Sequence, residues 1–307
     1  MADCLKDADL CLQHGRRILA VGEVLWDVFE HSKRLGGAPL SFSAHAKRLG
    51  CDARLISAVG NDTLGECAMK SIASLDLDAA LIQRTCEFDT GTAQVEVGPG
   101  EQTRFVISRP AAYDSVTISD EYLKLLREWD PSWLYYGTLY GARLEGKTVL
   151  DRLFQAFPST CKFYDLNLRP GYDSPMLVRD LLARADVVKL NEDELDALHK
   201  FTGLPRAIES FCREGSKRYG WKAVAVTLGA QGCGVLSGNE YVEASGYAVN
   251  VADPVGAGDA FAAAFLHGLS SGWPVDKIAQ FANRVGALIA SRHGAIPDWT
   301  LEEALAL

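Results

Sequence analysis

Positive charge is in deficit: 31 Lys+Arg stand against 40 Asp+Glu, a formal net charge of -9. So acidic a chain lacks the phosphate-neutralising surface of a dedicated nucleic-acid binder. It also lacks the basic excess that holds a protein to anionic lipid. Long apolar runs are missing too. The longest apolar helical stretch, Ala260 to Leu269, is about half of the roughly 20 residues that a bilayer span needs. The first residues, Met1 to Asp7, carry no basic region ahead of an apolar stretch, so no signal peptide is expected. Eight cysteines, at 4, 11, 51, 67, 86, 161, 212 and 233, form no CxxC pair. They read as reduced, partly buried cytosolic thiols, not a disulfide framework. The Asn61-Asp62-Thr63 sequon then carries little meaning. Six scattered histidines give no HExxH or other paired ligand spacing, so nothing argues for zinc.

What is present is a core. The chain has 307 residues, 48% of them hydrophobic, room for one large or two ordinary domains. Short β-branched runs alternate with amphipathic stretches. Strands are expected at 18–22, 54–59, 133–136, 162–165, 187–190 and 223–227. Helices are expected at 39–49, 64–75, 119–129, 145–157, 174–184 and 204–219. Such alternation implies an α/β fold with a mostly parallel sheet covered on both faces. Residues 88–110 break the pattern. They alternate through Ala93, Val95 and Val97, turn at Gly98-Pro99-Gly100, and resume at Phe105 and Ile107, as a hairpin does. Val28 to Leu35 is expected as a further strand of the same small sheet. The chain therefore reads as one α/β domain over 1–307, with segments 28–36 and 88–110 forming a β-lid over a substrate.

The richest site is Val251-Ala252-Asp253-Pro254-Val255-Gly256-Ala257-Gly258-Asp259-Ala260-Phe261. A strand-like run precedes it, and an apolar helix follows from Ala260. Gly256 and Gly258 remove Cβ atoms, so backbone N–H groups can approach a ligand. The helix start adds unpaired donors and partial positive charge, which suits phosphate and the charge of phosphoryl transfer. Asp259, in the first turn, could take a proton from an attacking hydroxyl. Its plain alternative is an N-capping residue. Two other motifs look like decoys. Gly141 to Thr148 fits the P-loop expression, yet Glu145 puts negative charge where phosphate would sit, and Gly141 comes late after its strand. Gly268-Leu-Ser270-Ser-Gly272 fits a nucleophile elbow but falls at a helix end.

With these motifs in order, the sequence resembles the PfkB-type sugar kinases of the ribokinase-like family, fructokinase-like members above all. Asp253 to Phe261 is similar to that family's C-terminal signature. Leu35-Gly36-Gly37-Ala38-Pro39 resembles its N-terminal one. Ser57 to Gly65, Asp165-Leu-Asn167-Leu-Arg169, Lys189-Leu-Asn191-Glu-Asp-Glu194 and Thr227-Leu-Gly229-Ala-Gln-Gly232 complete the set. The resemblance implies a mostly parallel sheet, a β-lid and ATP-dependent phosphorylation of an alcohol. It implies Asp259 as general base and the Gly256, Ala257 and Gly258 amides as anion hole. It implies that Asn191 and Glu194 organise Mg²⁺ through water. Lys189, Asn191, Thr227, Gly229, Gly232 and Asn283 fall on the nucleotide side. Asp27 would bind sugar hydroxyls, and Gly36 and Gly37 would let the sugar lie against the backbone. Asp253 falls near a monovalent-cation (K⁺) site, although Pro254-Val255 replaces the usual threonine pair. Ser41 stands where many relatives have Asn, at a sugar contact. Arg109 or Arg169 could grip a carboxylate, which would favour a sugar acid such as 2-keto-3-deoxygluconate. A ribokinase or nucleoside kinase, and a catalytically silent sugar-binding regulator, are the other readings. A homodimer pairing through the lid is the expected assembly.

Overall fold

The β-branched runs do become strands, and their alternation is buried on both sides. The computed structural model describes residues 15–97 and 103–307. In chain order the first strands are β1 (Arg17–Val21), β2 (Leu25–Val28), β3 (Lys33–Gly36), β4 (Asp52–Gly60), β5 (Ile82–Thr85), β6 (Gly91–Val97) and β7 (Thr103–Ile107). They are followed by β8 (Trp133–Gly137), β9 (Cys161–Asp165), β10 (Val187–Asn191), β11 (Ala223–Thr227), β12 (Gly232–Ser237) and β13 (Glu240–Ser245). Nine strands form one sheet in the order β13-β12-β11-β10-β9-β8-β1-β4-β5. It is parallel except at β11–β12 and β12–β13. A separate sheet runs β3-β2-β6-β7.

Period-two alternation splits each central strand between two cores. Ile18, Ala20, Trp133, Tyr135 and Phe163 face one; Leu19, Val21, Leu134, Tyr136 and Tyr164 face the other. Helices Ala38–Arg48, Thr63–Ser74, Ala257–Ser270 and Val275–Ala290 cover the first face. Helices Asp120–Trp129, Leu144–Ala156, Pro175–Arg184, Glu192–Thr202 and Ile208–Tyr219 cover the second. Local chemistry sets their ends. Asp62, Ser119 and Ser174 each accept a backbone N–H at a helix start, and Gly203 and Gly220 close helices in the left-handed region. Helix Ala257–Ser270 is apolar all round, from Ala260 to Leu266, because it lies between the sheet and two other helices.

Four expectations need correction. Val28 to Leu35 is not one strand: β2 and β3 form an antiparallel hairpin around a turn in which Phe29 N–H donates to the Ser32 carbonyl at 2.9 Å. The run before Asp253 is irregular and extended, not a strand. The helix expected from 204 begins later, at Ile208. Antiparallel β12 and β13, and the helix Glu192–Thr202, were not anticipated. The Gly98-Pro99-Gly100 turn lies outside the described residues; the hairpin it joins is present as β6 and β7. No helix among the described residues is long and apolar enough to cross a membrane. Among the described residues six cysteines form no disulfide, with Cys67 and Cys86 exposed and Cys51, Cys161, Cys212 and Cys233 buried.

Phe163 ties sheet to helices, its ring lying edge-on to Phe42, Tyr135 and Phe265. Phe163→Ala is expected to cost about 3–5 kcal/mol, read from the denaturant midpoint. A loss below about 1 kcal/mol would contradict this packing.

Candidate active site

Two cavities meet where helix Ala257–Ser270 begins. One, about 480 Å³, lies between the small sheet and the C-terminal ends of β9, β10 and β11. The other, about 660 Å³, lies between the Gly229–Gly232 turn, segment 246–251 and helix Val275–Ala290. Asn191, Thr227, Pro254 and Gly258 line both. A parallel sheet leaves its crevice at the carboxyl ends of its strands, which is where both cavities are.

At the junction, Gly256 sits at φ +84°. A Cβ there would stand 2.3 Å from the Ala295 carbonyl oxygen, so only glycine fits both the turn and the contact. Among the described residues, the amides of Gly256, Gly258 and Asp259 donate to no backbone carbonyl. The Ala257 amide does donate, to Pro254 at 3.3 Å, so it is already partly engaged in the expected anion hole. Asp259 lines the first cavity one residue beyond Gly258. Its carboxyl is raised to about 7, chiefly by desolvation and then by the nearby Asp165 carboxylate, while Lys189 and Arg169 oppose the shift. A proton acceptor poised near neutrality is what general-base chemistry requires.

Lys189 belongs to this junction. Its Nζ lies 3.1 Å from Asp165 Oδ1, and a Cβ on Gly258 would lie 3.1 Å from that Nζ. Burial opposes its charge, but Asp165, Glu194 and Asp259 overcome that and hold the ammonium above its ordinary pKa. Tyr135 donates to Asp165 Oδ2 at 3.0 Å and fixes the carboxylate. Lys189 lines the first cavity and not the second.

The first cavity brings together Asp27, Gly37, Ser41 and Arg169 as expected. Asp27 is raised to about 6 by burial, with Arg169 pulling against it. Ser41 Oγ is buried and has no hydrogen-bond partner among the described residues. Gly37, at φ +110°, lies where a Cβ would stand 2.3 Å from the Glu23 carbonyl. Gly36 does not line the cavity; its missing side chain leaves room for the Asp27 carboxylate. Arg109 is withdrawn altogether. It forms a buried two-pronged ion pair with Asp114 and donates from Nη1 to the Leu139 carbonyl at 2.6 Å. No arm is left to grip a substrate carboxylate. Arg169 is free of any ion pair within 4.0 Å among the described residues.

Residues that motif reading did not assign also line this cavity. Glu23 is buried, accepts the Ala38 N–H at 3.3 Å, and is raised by desolvation. Asn167, Phe29, Phe105 and Leu139 complete the wall. A charged residue inside the apolar run Val21-Gly22-Glu23-Val24-Leu25 was the available signal for Glu23.

The second cavity holds Asn191, Thr227, Gly229, Gly232 and Asn283, as expected. Asn283 also donates from Nδ2 to the Ala244 carbonyl at 3.1 Å, so it anchors the end of β13. Segment 246–251 forms a wall that no motif marked.

The three expected metal residues do not form a cage. Asn191 and Glu194 make a capping box: each side chain accepts the other's backbone N–H at 2.9 Å. The second Glu194 oxygen accepts from Leu168 N–H at 2.7 Å. Asp253 pairs with Arg34 at 2.5 Å and accepts from Gly294 and Val255 N–H at 3.0 Å each. Among the described residues no three His, Cys, Asp or Glu side chains cluster for a metal. Both Glu194 oxygens thus already accept backbone N–H groups. This arrangement does not present Asp253 as an open K⁺ ligand. The P-loop expression also fails: Lys147 lies inside helix Leu144–Ala156, paired with Asp151 at 2.7 Å. Gly268 to Gly272 is the end of a helix, as expected. The Ser57 to Gly65 block is structural, Asp62 accepting Thr90 N–H at 2.7 Å to fix the start of β6.

A family model described as pfkB family carbohydrate kinase matches residues 12–301. A sugar kinase of Pyrococcus horikoshii is 29% identical over 298 residues, 91% of each chain. Its structure in complex with ATP superposes with a TM-score of 0.78, covering 94% of this chain and 97% of the other. A fructokinase of Escherichia coli is 29% identical over 299 residues, 91% of this chain and 95% of the other. The ATP-bound fructokinase of Xylella fastidiosa shares the fold at TM-score 0.82 and 23% identity, covering 95% of this chain and 98% of the other.

Because Asp114 is buried with Arg109 as its counter-charge, Arg109→Ala is expected to cost about 3–5 kcal/mol of stability. The denaturation midpoint measures this. An unchanged midpoint with lost turnover of an anionic acceptor would return Arg109 to the substrate.

Proposed function

Since the chain belongs to the pfkB family of carbohydrate kinases, ATP-dependent sugar phosphotransferases, we propose that it phosphorylates a neutral sugar in the manner of a fructokinase, with Asp259 as general base. The observation that carries this reading is the placement of Asp259 and the unpaired Gly256 and Gly258 amides where the two cavities join. The sugar enters the first cavity, where the Asp27 carboxylate and Ser41 hydroxyl are available to its hydroxyls. ATP occupies the second, along Thr227, Gly229 and Asn283. The acceptor oxygen attacks the γ-phosphorus in line, its proton passes to Asp259, and the bond to the β-phosphate bridging oxygen breaks to release ADP. The Gly256 and Gly258 amides and the Lys189 ammonium stabilise the charge on the moving phosphoryl group. Mg²⁺ carried by ATP would neutralise phosphate charge, held through water near Asn191 and Glu194. The small sheet would act as the lid. The Arg34–Asp253 pair already joins it to the loop before Gly256.

The withdrawal of Arg109 and the carboxylates of Glu23 and Asp27 favour a neutral acceptor over a sugar acid. Arg169 keeps the sugar-acid reading alive, as a cation that lines the same cavity with no ion pair among the described residues. Phe29 and Phe105 supply the aromatic walls a nucleoside kinase would use, but Arg34 and Arg169 lie over those rings at 4.9 and 6.0 Å.

ATP consumption against fructose, glucose, ribose, 2-keto-3-deoxygluconate, adenosine and a no-acceptor control is expected to select a neutral hexose. Preference for the sugar acid would move the assignment to Arg169. Asp259→Asn is expected to lower kcat by about 10²–10⁴ with little change in ATP affinity. Wild-type turnover in that variant would remove Asp259 from the mechanism. Ser41→Asn, which lengthens the unpaired contact, is expected to change KM for the preferred sugar by about tenfold. An unchanged KM and substrate preference would mean that position 41 does not touch the sugar.

A further inference from the structure

His45 is fully buried and lies one helical turn beyond Ser41 in helix Ala38–Arg48. Both its ring nitrogens are engaged. Trp299 Nε1–H donates to His45 Nδ1 at 3.0 Å. His45 Nε2 lies 3.0 Å from the Ala295 carbonyl oxygen. An indole can only donate and a carbonyl can only accept, so the ring must be neutral with its proton on Nε2. Burial also keeps it neutral, lowering its pKa to about 4.

The receiving carbonyl is not a passive partner. Ala295 lines the acceptor cavity. Its carbonyl oxygen and Cα lie 2.3 and 2.5 Å from where a Cβ on Gly256 would be. The Ala295 backbone is thus wedged between the His45 ring and the turn that opens helix Ala257–Ser270. Arg48, the next residue on the same helix face, donates to the Pro297 carbonyl and pairs with Asp298 at 2.7 Å. One face of this helix therefore carries Ser41 toward the acceptor, and His45 and Arg48 toward loop 295–298.

We propose that His45 is a positioning residue that holds the Ala295 carbonyl against Gly256 and so couples the acceptor-side helix to the anion-hole turn. This rests on the reading of the Gly256 turn as anion hole. Releasing the carbonyl would let the turn shift relative to the acceptor without removing any group that binds ATP. Misalignment of that kind lowers kcat more than it raises KM.

The test is a double-mutant cycle between His45→Phe, which fills the site without either hydrogen bond, and Gly256→Ala. His45→Phe is expected to lower kcat about 10- to 100-fold, with KM for ATP within about twofold of wild type. His45→Gln, which keeps one donor and one acceptor, is expected to recover most of that loss. The two principal substitutions should fail to multiply, since they disturb one contact. Full kcat in folded His45→Phe, or losses that simply multiply, would overturn the proposal. Full kcat in Gly256→Ala would instead overturn the anion-hole reading. If His45→Phe does not fold, Trp299→Phe removes the donor that fixes the tautomer. A kcat reduced severalfold is then expected, and wild-type kcat would overturn the coupling.

Discussion

The first turn of a helix offers amides that the helix itself cannot pair, and in this fold they fall where two cavities meet. Helix Ala257–Ser270 is apolar from Ala260 to Leu266 and packs against the sheet, while its first turn, Ala257 to Asp259, is only partly buried and lines the two cavities. Among the described residues the Gly256, Gly258 and Asp259 amides donate to no backbone carbonyl, so free donors and the positive end of the helix converge on that junction. The rest of the site follows from that constraint. The glycines keep the turn open. Lys189, held by Asp165 and Tyr135, adds positive charge beside it. Asp259, desolvated in the same space, is left as a base near neutrality.

The distribution of charge around that point is selective. Of the two arginines that could have met an acidic substrate, one is spent on the buried Asp114 and one still faces the cavity. Glu23 and Asp27 both resist ionisation because burial raises them. That lining supports the proposed neutral acceptor. The Asp253 carboxylate is likewise filled by Arg34 and two amides. Its partners come from the lid side and from the chain itself.

Much of this was legible in the sequence, for physical reasons. The central strands were found because a sheet buried on both faces leaves a continuous apolar run. The Gly256 to Asp259 turn was found because its glycines and acid sit between irregular chain and an apolar helix. The Asn191-x-x-Glu194 spacing, which forms a capping box, was an unread signal for the helix Glu192–Thr202, as the Gly238-Asn239 dipeptide between β12 and β13 was an unread hairpin signal. The β2–β3 turn at Phe29 to Ser32 carries neither glycine nor proline, so nothing local announced it. Arg109 could not be resolved either, since its partner Asp114 lies across a loop whose path no periodicity describes. The same holds for His45, whose partners Ala295 and Trp299 are remote in sequence.

The proposed chemistry turns on a desolvated Asp259 taking the acceptor's proton. Its raised pKa fixes the sign: the carboxyl is protonated and inactive below about 7 and ionised and active above it. The most direct measurement is kcat/KM for the preferred sugar from pH 5.5 to 9 at saturating MgATP. The expected profile rises about tenfold per pH unit at the acid end and bends to a plateau near pH 7. A profile flat through pH 6 to 8, or one that falls across that range, would contradict it.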